Sequence, residues 1–144
     1  MYDPKLQAPL EEGEHVVARF QADRRTYLKS HAILAVAAGL GATLVLAMLG
    51  NAAPWVGFPA AVLAIGARGA FLMSDELGAV WTLTDRALNG PGGRRVLLEN
   101  LAKARKIGNA VQLVTRSGDK HLIKFVAEPE AIVARIEAAK GALR

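Results

Sequence analysis

Between Ala32 and Met73 the chain carries a single charged residue, Arg68. Few folds accept so long an apolar run. Ala32–Gly50 is charge-free, and its length is close to the ~20 residues a helix needs to cross about 30 Å of hydrocarbon. Asn51-Ala52-Ala53-Pro54 reads as a tight turn, and Pro54 suits the first turn of a new helix, where its missing N–H costs nothing. Trp55 beside it is suited to a membrane interface, where an amphipathic ring is favoured. Pro54–Met73 is the second apolar segment. The competing reading is a pair of buried helices in a soluble core, but the rest of the chain is too small to wrap two all-apolar helices in a second layer. The expected organisation is an N-terminal arm over 1–30 and a transmembrane hairpin over 31–73, with spans of about 32–50 and 54–73. A separate domain is expected over 74–144.

Two helices joined by so short a link must be antiparallel neighbours. Helices in lipid approach closely along stripes of small residues. Ala35, Gly39 and Thr43 recur every fourth residue, as do Gly57 and Ala61, and Gly66 and Ala70, so these seven are the candidate helix-packing positions. The link carries no charge, whereas Arg19, Arg24, Arg25 and Lys29 precede the first span and further basic residues follow the second. That asymmetry predicts both termini in the cytoplasm, which for a bacterial protein means the inner membrane. Arg68 is expected near the cytoplasmic end of its span. There it either snorkels to the phosphate level or pairs with an acidic group of a partner or with an anionic lipid.

The chain has no cysteine, which excludes disulfides and Cys-ligated zinc or iron–sulfur sites. The net charge of +5 is unevenly placed: 1–30 holds five basic and five acidic residues, and 74–144 holds twelve and eight. On a membrane-tethered domain such an excess suits anionic headgroups. No nucleic-acid-binding motif accompanies it, so nucleic acid is not an expected partner. His15, His31 and His121 lie far apart, Asp75-Glu76 reads as a solvated elbow, and no serine sits in a nucleophile motif. The Gly90–Gly93 run is interrupted by Pro91 and lacks a following Lys-Ser/Thr, so it is a turn rather than a phosphate loop. No catalytic residue, metal site or cofactor is expected. The remaining candidates are basic: Arg68, Arg94, Arg95, Lys103, Arg105, Lys106 and Lys120, as contacts for lipid or for a protein partner.

After Ser74 the pattern turns to β. Ala79–Thr84 puts Trp81 and Leu83 on one face and Val80, Thr82 and Thr84 on the other. Arg86-Ala87-Leu88, Arg94–Leu98 and Lys103–Ile107 read as further short strands, and Val111–Thr115 with His121–Val126 as a hairpin across Ser117-Gly118. Pro129, between Glu128 and Glu130, starts a helix whose apolar stripe is Ile132, Val133, Ile136, Ala139 and Leu143. This describes an α+β chain: a helical hairpin plus a small bent antiparallel sheet or partial barrel, with one end plugged by the C-terminal helix.

Two apolar spans, then Trp81-Thr82-Leu83-Thr84-Asp85-Arg86, Arg95-Val96-Leu97-Leu98, a Ser117-Gly118 hairpin and a Glu128-Pro129 helix form an order with a precedent. It resembles the bacterial PH-like membrane-protein family, which places a pleckstrin-homology-like domain after a transmembrane hairpin. The resemblance covers roughly Glu11 to Leu143. It implies a PH-like fold and an adaptor role, since some relatives are accessory or assembly proteins of membrane complexes, photosynthetic ones included. It implies no enzyme activity and no defined ligand. The expected partners are therefore membrane lipids, anionic ones among them, and another integral membrane protein or complex. The pattern departs from the family in strand count, with five or six strands where a full PH barrel has seven. His15–Phe20 is the segment that can supply another.

Overall fold

The structure is a computed structural model that describes Asp3 and residues 5–143. Its backbone contacts divide it into two units. One contains the N-terminal residues through Thr26 together with those from Asp75 onward, and the other is Tyr27–Ser74. The expected 1–30 arm is thus not a body of its own. Most of it belongs with the C-terminal domain, because Val16–Gln21 pairs into a sheet there and the residues before it are held by hydrogen bonds and ion pairs.

That first unit holds seven strands and a helix. β1 (Val16–Gln21), β2 (Val80–Thr84), β3 (Ala87–Asn89) and β4 (Arg95–Leu97) form a four-stranded antiparallel sheet in that order. β5 (Leu101–Ile107), β6 (Ala110–Thr115) and β7 (Lys120–Ile123) form a three-stranded antiparallel sheet. The expected count of five or six strands rises to seven among the described residues, and β1 is the addition. It pairs with β2 from Val16↔Thr84 to Gln21↔Val80, with a register shift between Val16 and Ala18. That irregularity, and the apolar run Val16-Val17-Ala18, blurs the alternation expected of a strand. β7 is shorter than His121–Val126 because Phe125 adopts a φ of 57°, which no strand residue does.

Alternation decides what each sheet buries. Phe20, Trp81, Leu83, Leu88 and Val96 point inward from the four-stranded sheet, and Leu101, Ala104, Val111, Leu113 and Ile123 from the three-stranded one. The C-terminal helix, Pro129–Gly141, inserts Ile136 into this core and packs Ile132, Val133 and Ala139 against it. Leu143, expected on the same stripe, lies beyond the helix and is 46% exposed.

The two long helices are α1 (Arg24–Met48) and α2 (Gly57–Gly78), so the C-terminal helix is α3. Against the expected spans of 32–50 and 54–73, α1 starts earlier and stops at Met48, while α2 starts at Gly57 and runs on to Gly78. Asp23 starts α1 by accepting hydrogen bonds from the Thr26 N–H (2.9 Å) and hydroxyl (2.7 Å), which satisfies one orphan donor of the first turn. Those bonds hold the Asp23 carboxyl below the ordinary carboxylate range. A single 3-10 turn, Pro54–Val56, leads into α2. Both helices are long and apolar enough to cross a membrane, and only 11% of the most apolar stretch of each is buried. A core helix of a soluble protein would be mostly buried. Instead Leu40, Leu44, Leu63 and Phe71 are exposed by 61% or more.

Candidate functional site

In the helical unit every fourth residue of α1 faces α2: Tyr27, Ala35 and Gly39 are buried, and His31 and Thr43 half-buried. On α2 the facing positions are Gly57, Ala61, Ile65 and Gly69. A Cβ on Gly57 would fall 2.8 Å from the backbone of Ala42 and Thr43, on Gly39 within 2.5 Å of the Phe58 ring, and on Gly69 2.8 Å from the His31 ring. The expected packing positions Ala35, Gly39, Thr43, Gly57 and Ala61 therefore lie in the seam. Gly66 and Ala70 do not: both are exposed, and a Cβ on Gly66 would meet nothing within 4 Å. Continuing the four-residue spacing from Gly57 lands on Gly69. Gly66 and Ala70 are out of phase with it and turn away. The seam also holds a polar contact. The buried Tyr27 hydroxyl donates to the Gly69 carbonyl at 2.6 Å, and its ring lies 4.1 Å from that of His31. Arg68 is exposed on the outside of α2.

In the sheet unit the Trp81–Arg86 stretch has a visible purpose. Trp81 and Leu83 enter the core, while Thr84 accepts from the Arg86 and Ala87 N–H groups (3.1 and 2.9 Å) and so closes the β2–β3 turn. The same residues dock the N-terminal segment across the outer face of the four-stranded sheet. Asp85 accepts from the His15 N–H at 2.9 Å, Arg86 pairs with Glu11 at 3.3 Å, and the Thr84 hydroxyl donates to the Glu14 carboxylate. Further along, the Gly93 N–H donates to the Leu6 carbonyl at 3.0 Å and the Gln7 amide to the Val80 carbonyl at 2.8 Å. Glu14 is a buried acid. Burial pushes its carboxyl up, but bonds from Thr84, from the Glu11 N–H and from Arg95, with the Arg95 charge, outweigh that and hold it below the ordinary range.

The basic candidates are thus separated by strand alternation. Arg95 points to the outer face of its sheet and is taken up by Glu14 (3.2 Å) and Glu11 (3.5 Å). Arg94, its exposed neighbour, remains open to solvent. Lys106 is paired with Glu130, whose carboxyl this bond holds low. These pairings commit Arg95 and Lys106 to intramolecular partners. Lys103, Arg105 and Lys120 are brought together. They share the outer face of the three-stranded sheet, opposite the core-facing Val111 and Leu113.

The register defines that face. Lys103, Val114 and Lys120 form one cross-strand row, and Arg105, Gln112 and Leu122 the next, with Ile107 one step further along β5. Neighbouring strands are about 4.8 Å apart, so the two lysines lie ~10 Å apart with Val114 between them. Arg105 donates through Nε to the Gln112 side-chain oxygen at 2.7 Å, which fixes its guanidinium along the sheet. Ile107 and Leu122 are 44% and 41% exposed. None of the strand residues on this face is acidic. The result is a cationic surface with apolar residues interleaved, suited to an anionic partner that also offers apolar contact. Among the described residues no group of three His, Asp or Glu side chains could hold a metal ion.

Sequence reasoning gave no site role to Gln7, Glu11 and Glu14 of the N-terminal segment, or to Arg19 and Asn89 on the sheet face that it covers. Glu11 and Glu14 belong to an acidic stretch, Glu11-Glu12-Gly13-Glu14, that by itself names no partner. Their partners lie 75 and 81 residues away, beyond any local pattern.

Compared with known proteins, the chain matches no family model, no curated protein and no solved structure.

Proposed function

We propose that this chain is a non-enzymatic adaptor of the bacterial inner membrane: a two-helix transmembrane hairpin carrying a PH-like domain on the cytoplasmic side. The hairpin anchors the chain. The domain binds an integral membrane protein or complex as an accessory or assembly subunit. The observation that carries this reading is the outer face of the three-stranded sheet, where Lys103, Arg105 and Lys120 surround Val114 and Leu122. Charge there steers a partner and fixes its register, while the exposed aliphatic residues supply the area to be buried. Support for the hairpin comes from two helices that approach each other at Gly39, Gly57 and Gly69 while Leu40, Leu44, Leu63 and Phe71 stay exposed. Support for a PH-like domain comes from four-plus-three antiparallel strands followed by a helix that enters the shared core.

The test is isolation of the intact protein from its native membrane in mild detergent. The expected result is a stoichiometric membrane-protein partner that is lost when Lys103, Arg105 and Lys120 are replaced by Glu. Recovery as a free monomer, or a partner retained by that variant, counts against the proposal.

A second reading is favoured by the same three cations. A tethered basic face also suits anionic headgroups, each basic residue contributing on the order of 1 kcal/mol near such a surface. Reconstitution into nanodiscs separates the two. Lipid binding predicts that Lys103, Arg105 and Lys120 become protected when anionic lipid is added, and that salt reverses the effect. A protein partner predicts protection only when that partner is present.

A further inference from the structure

The N-terminal segment and the outer face of the four-stranded sheet border a cavity of about 480 Å³ that is open to solvent on one side. It is separate from the basic face of the other sheet. Its floor is set by register: Arg19 pairs with Thr82, Thr82 with Asn89, and Asn89 with Arg95, giving one polar row across all four strands. The two ends of the row differ. Arg95 is neutralised by Glu14 and Glu11, and it lies outside the cavity lining. Arg19 lines the cavity, and among the described residues it has no carboxylate partner.

Asn89 is 1% exposed. Arg95 Nη1 donates to its Oδ1 at 3.1 Å, and the reverse amide orientation would set two donors against each other. The Asn89 amide nitrogen is therefore directed elsewhere. Among the described residues it finds no acceptor, although the residue lines the cavity. The side-chain atoms buried without a hydrogen-bond partner among the described residues are Thr43 Oγ1 and Arg95 Nη2, so the Asn89 nitrogen meets solvent in the cavity, where a ligand oxygen can take the place of water. The roof contributes Lys5, also without a carboxylate partner among the described residues, and Gln7, whose amide is already spent on Val80 and Thr82. No acidic side chain lines the cavity, and the remaining walls are mainly aliphatic, including Leu10 and Val16.

We propose that this cavity binds an amphiphilic anion, a carboxylate or phosphate carried on a short apolar chain. Lys5, Arg19 and the Asn89 amide take the anionic oxygens, and Leu10 and Val16 cover the chain. Its volume lies within the range of small-molecule sites, about 300–1,000 Å³. A bare anion would leave the aliphatic wall unused, and a neutral chain would displace water from three donors without replacing its hydrogen bonds.

The test uses the intact protein in neutral maltoside detergent with an octanoate bearing a diazirine. Photolabel is expected on Leu10 or Val16. Octanoate and octyl phosphate should compete with it, whereas octanol and inorganic phosphate at the same concentration should not. Lys5→Gln combined with Arg19→Gln, both at exposed positions, should lower that labelling by ~10-fold or more, as expected for lost charge-assisted bonds. Labelling of the helices by simple partition should stay constant in the variant and so reports an intact, equally exposed protein. Labelling that ignores the double variant overturns the proposal, as does equal competition by octanol. Competition by inorganic phosphate as strong as by octyl phosphate would assign the cavity to a free anion and overturn the amphiphile.

Discussion

Arg95 Nη1 lies 3.2 Å from each carboxylate oxygen of Glu14, joining the start of β4 to a residue 81 positions earlier in the chain. With Thr84 on the same carboxylate, this pair clamps the N-terminal segment to the sheet. The Glu14 side chain is fully buried. Removing one partner of a buried pair strands the other, a cost of about 3–5 kcal/mol at full burial, and less here because Arg95 is partly exposed. Arg95→Ala should therefore lower the unfolding free energy of the sheet unit by about 2 kcal/mol. Chemical denaturation of wild type and variant measures it.

The same contact makes stability depend on pH. Unfolded, a glutamate titrates near ~4.3; folded, Glu14 titrates lower. The folded state therefore binds the proton more weakly than the unfolded state. The stabilisation is complete above the unfolded value and is lost as pH falls toward and through the folded one. Glu14→Gln should remove this part of the acid dependence, so the wild type should lose more stability than the variant between neutrality and pH 3. Equal acid sensitivity in denaturation curves of the two would show that Glu14 is not the titrating group.

In the hairpin, glycine position matters more than glycine content. Gly57→Ala places a methyl 2.8 Å from the Ala42–Thr43 backbone, which cannot swing aside as a side chain would. It should cost about 1–3 kcal/mol of helix–helix association. Gly66→Ala meets no neighbour and should leave association unchanged. Steric-trapping or denaturant titration in detergent distinguishes them.

Tyr27→Phe keeps the ring and deletes the hydroxyl that donates to the Gly69 carbonyl. Interhelical hydrogen bonds in membranes contribute about 0.6–2 kcal/mol, so a loss within that range is expected in the same assay. The effect should vanish in a Gly69→Leu background, where the helices are already forced apart.

Much of the architecture was readable before any coordinates. The apolar run from Ala32 to Met73, with Arg68 its one charge, announced two long helices, and the β-formers of Val80–Thr84 and Val111–Thr115 announced strands. β1 was harder, because its bulge sits at consecutive apolar residues and its partner is β2, some sixty residues later. The helix seam was legible in kind but not fully in phase. Gly66 and Ala70 repeat at the right interval, yet only the set continuing from Gly57 faces α1. The basic residues were visible as a composition bias. Their sorting into engaged and open ones depended on long-range partners, Glu14 for Arg95 and Glu130 for Lys106, that no local spacing encodes. The cavity depended on the N-terminal segment lying over the sheet, which nothing in residues 5–15 alone foretells.

Whether Lys103, Arg105 and Lys120 hold a membrane-protein partner is decided by one comparison. Intact wild type and the triple Glu variant are isolated from the native membrane in mild detergent, and co-purifying proteins are quantified against the chain itself. The wild type should carry one stoichiometric membrane-protein partner, reduced at least ~10-fold by the reversal of three charges. A wild-type protein recovered alone, or a partner held equally by both, would contradict it.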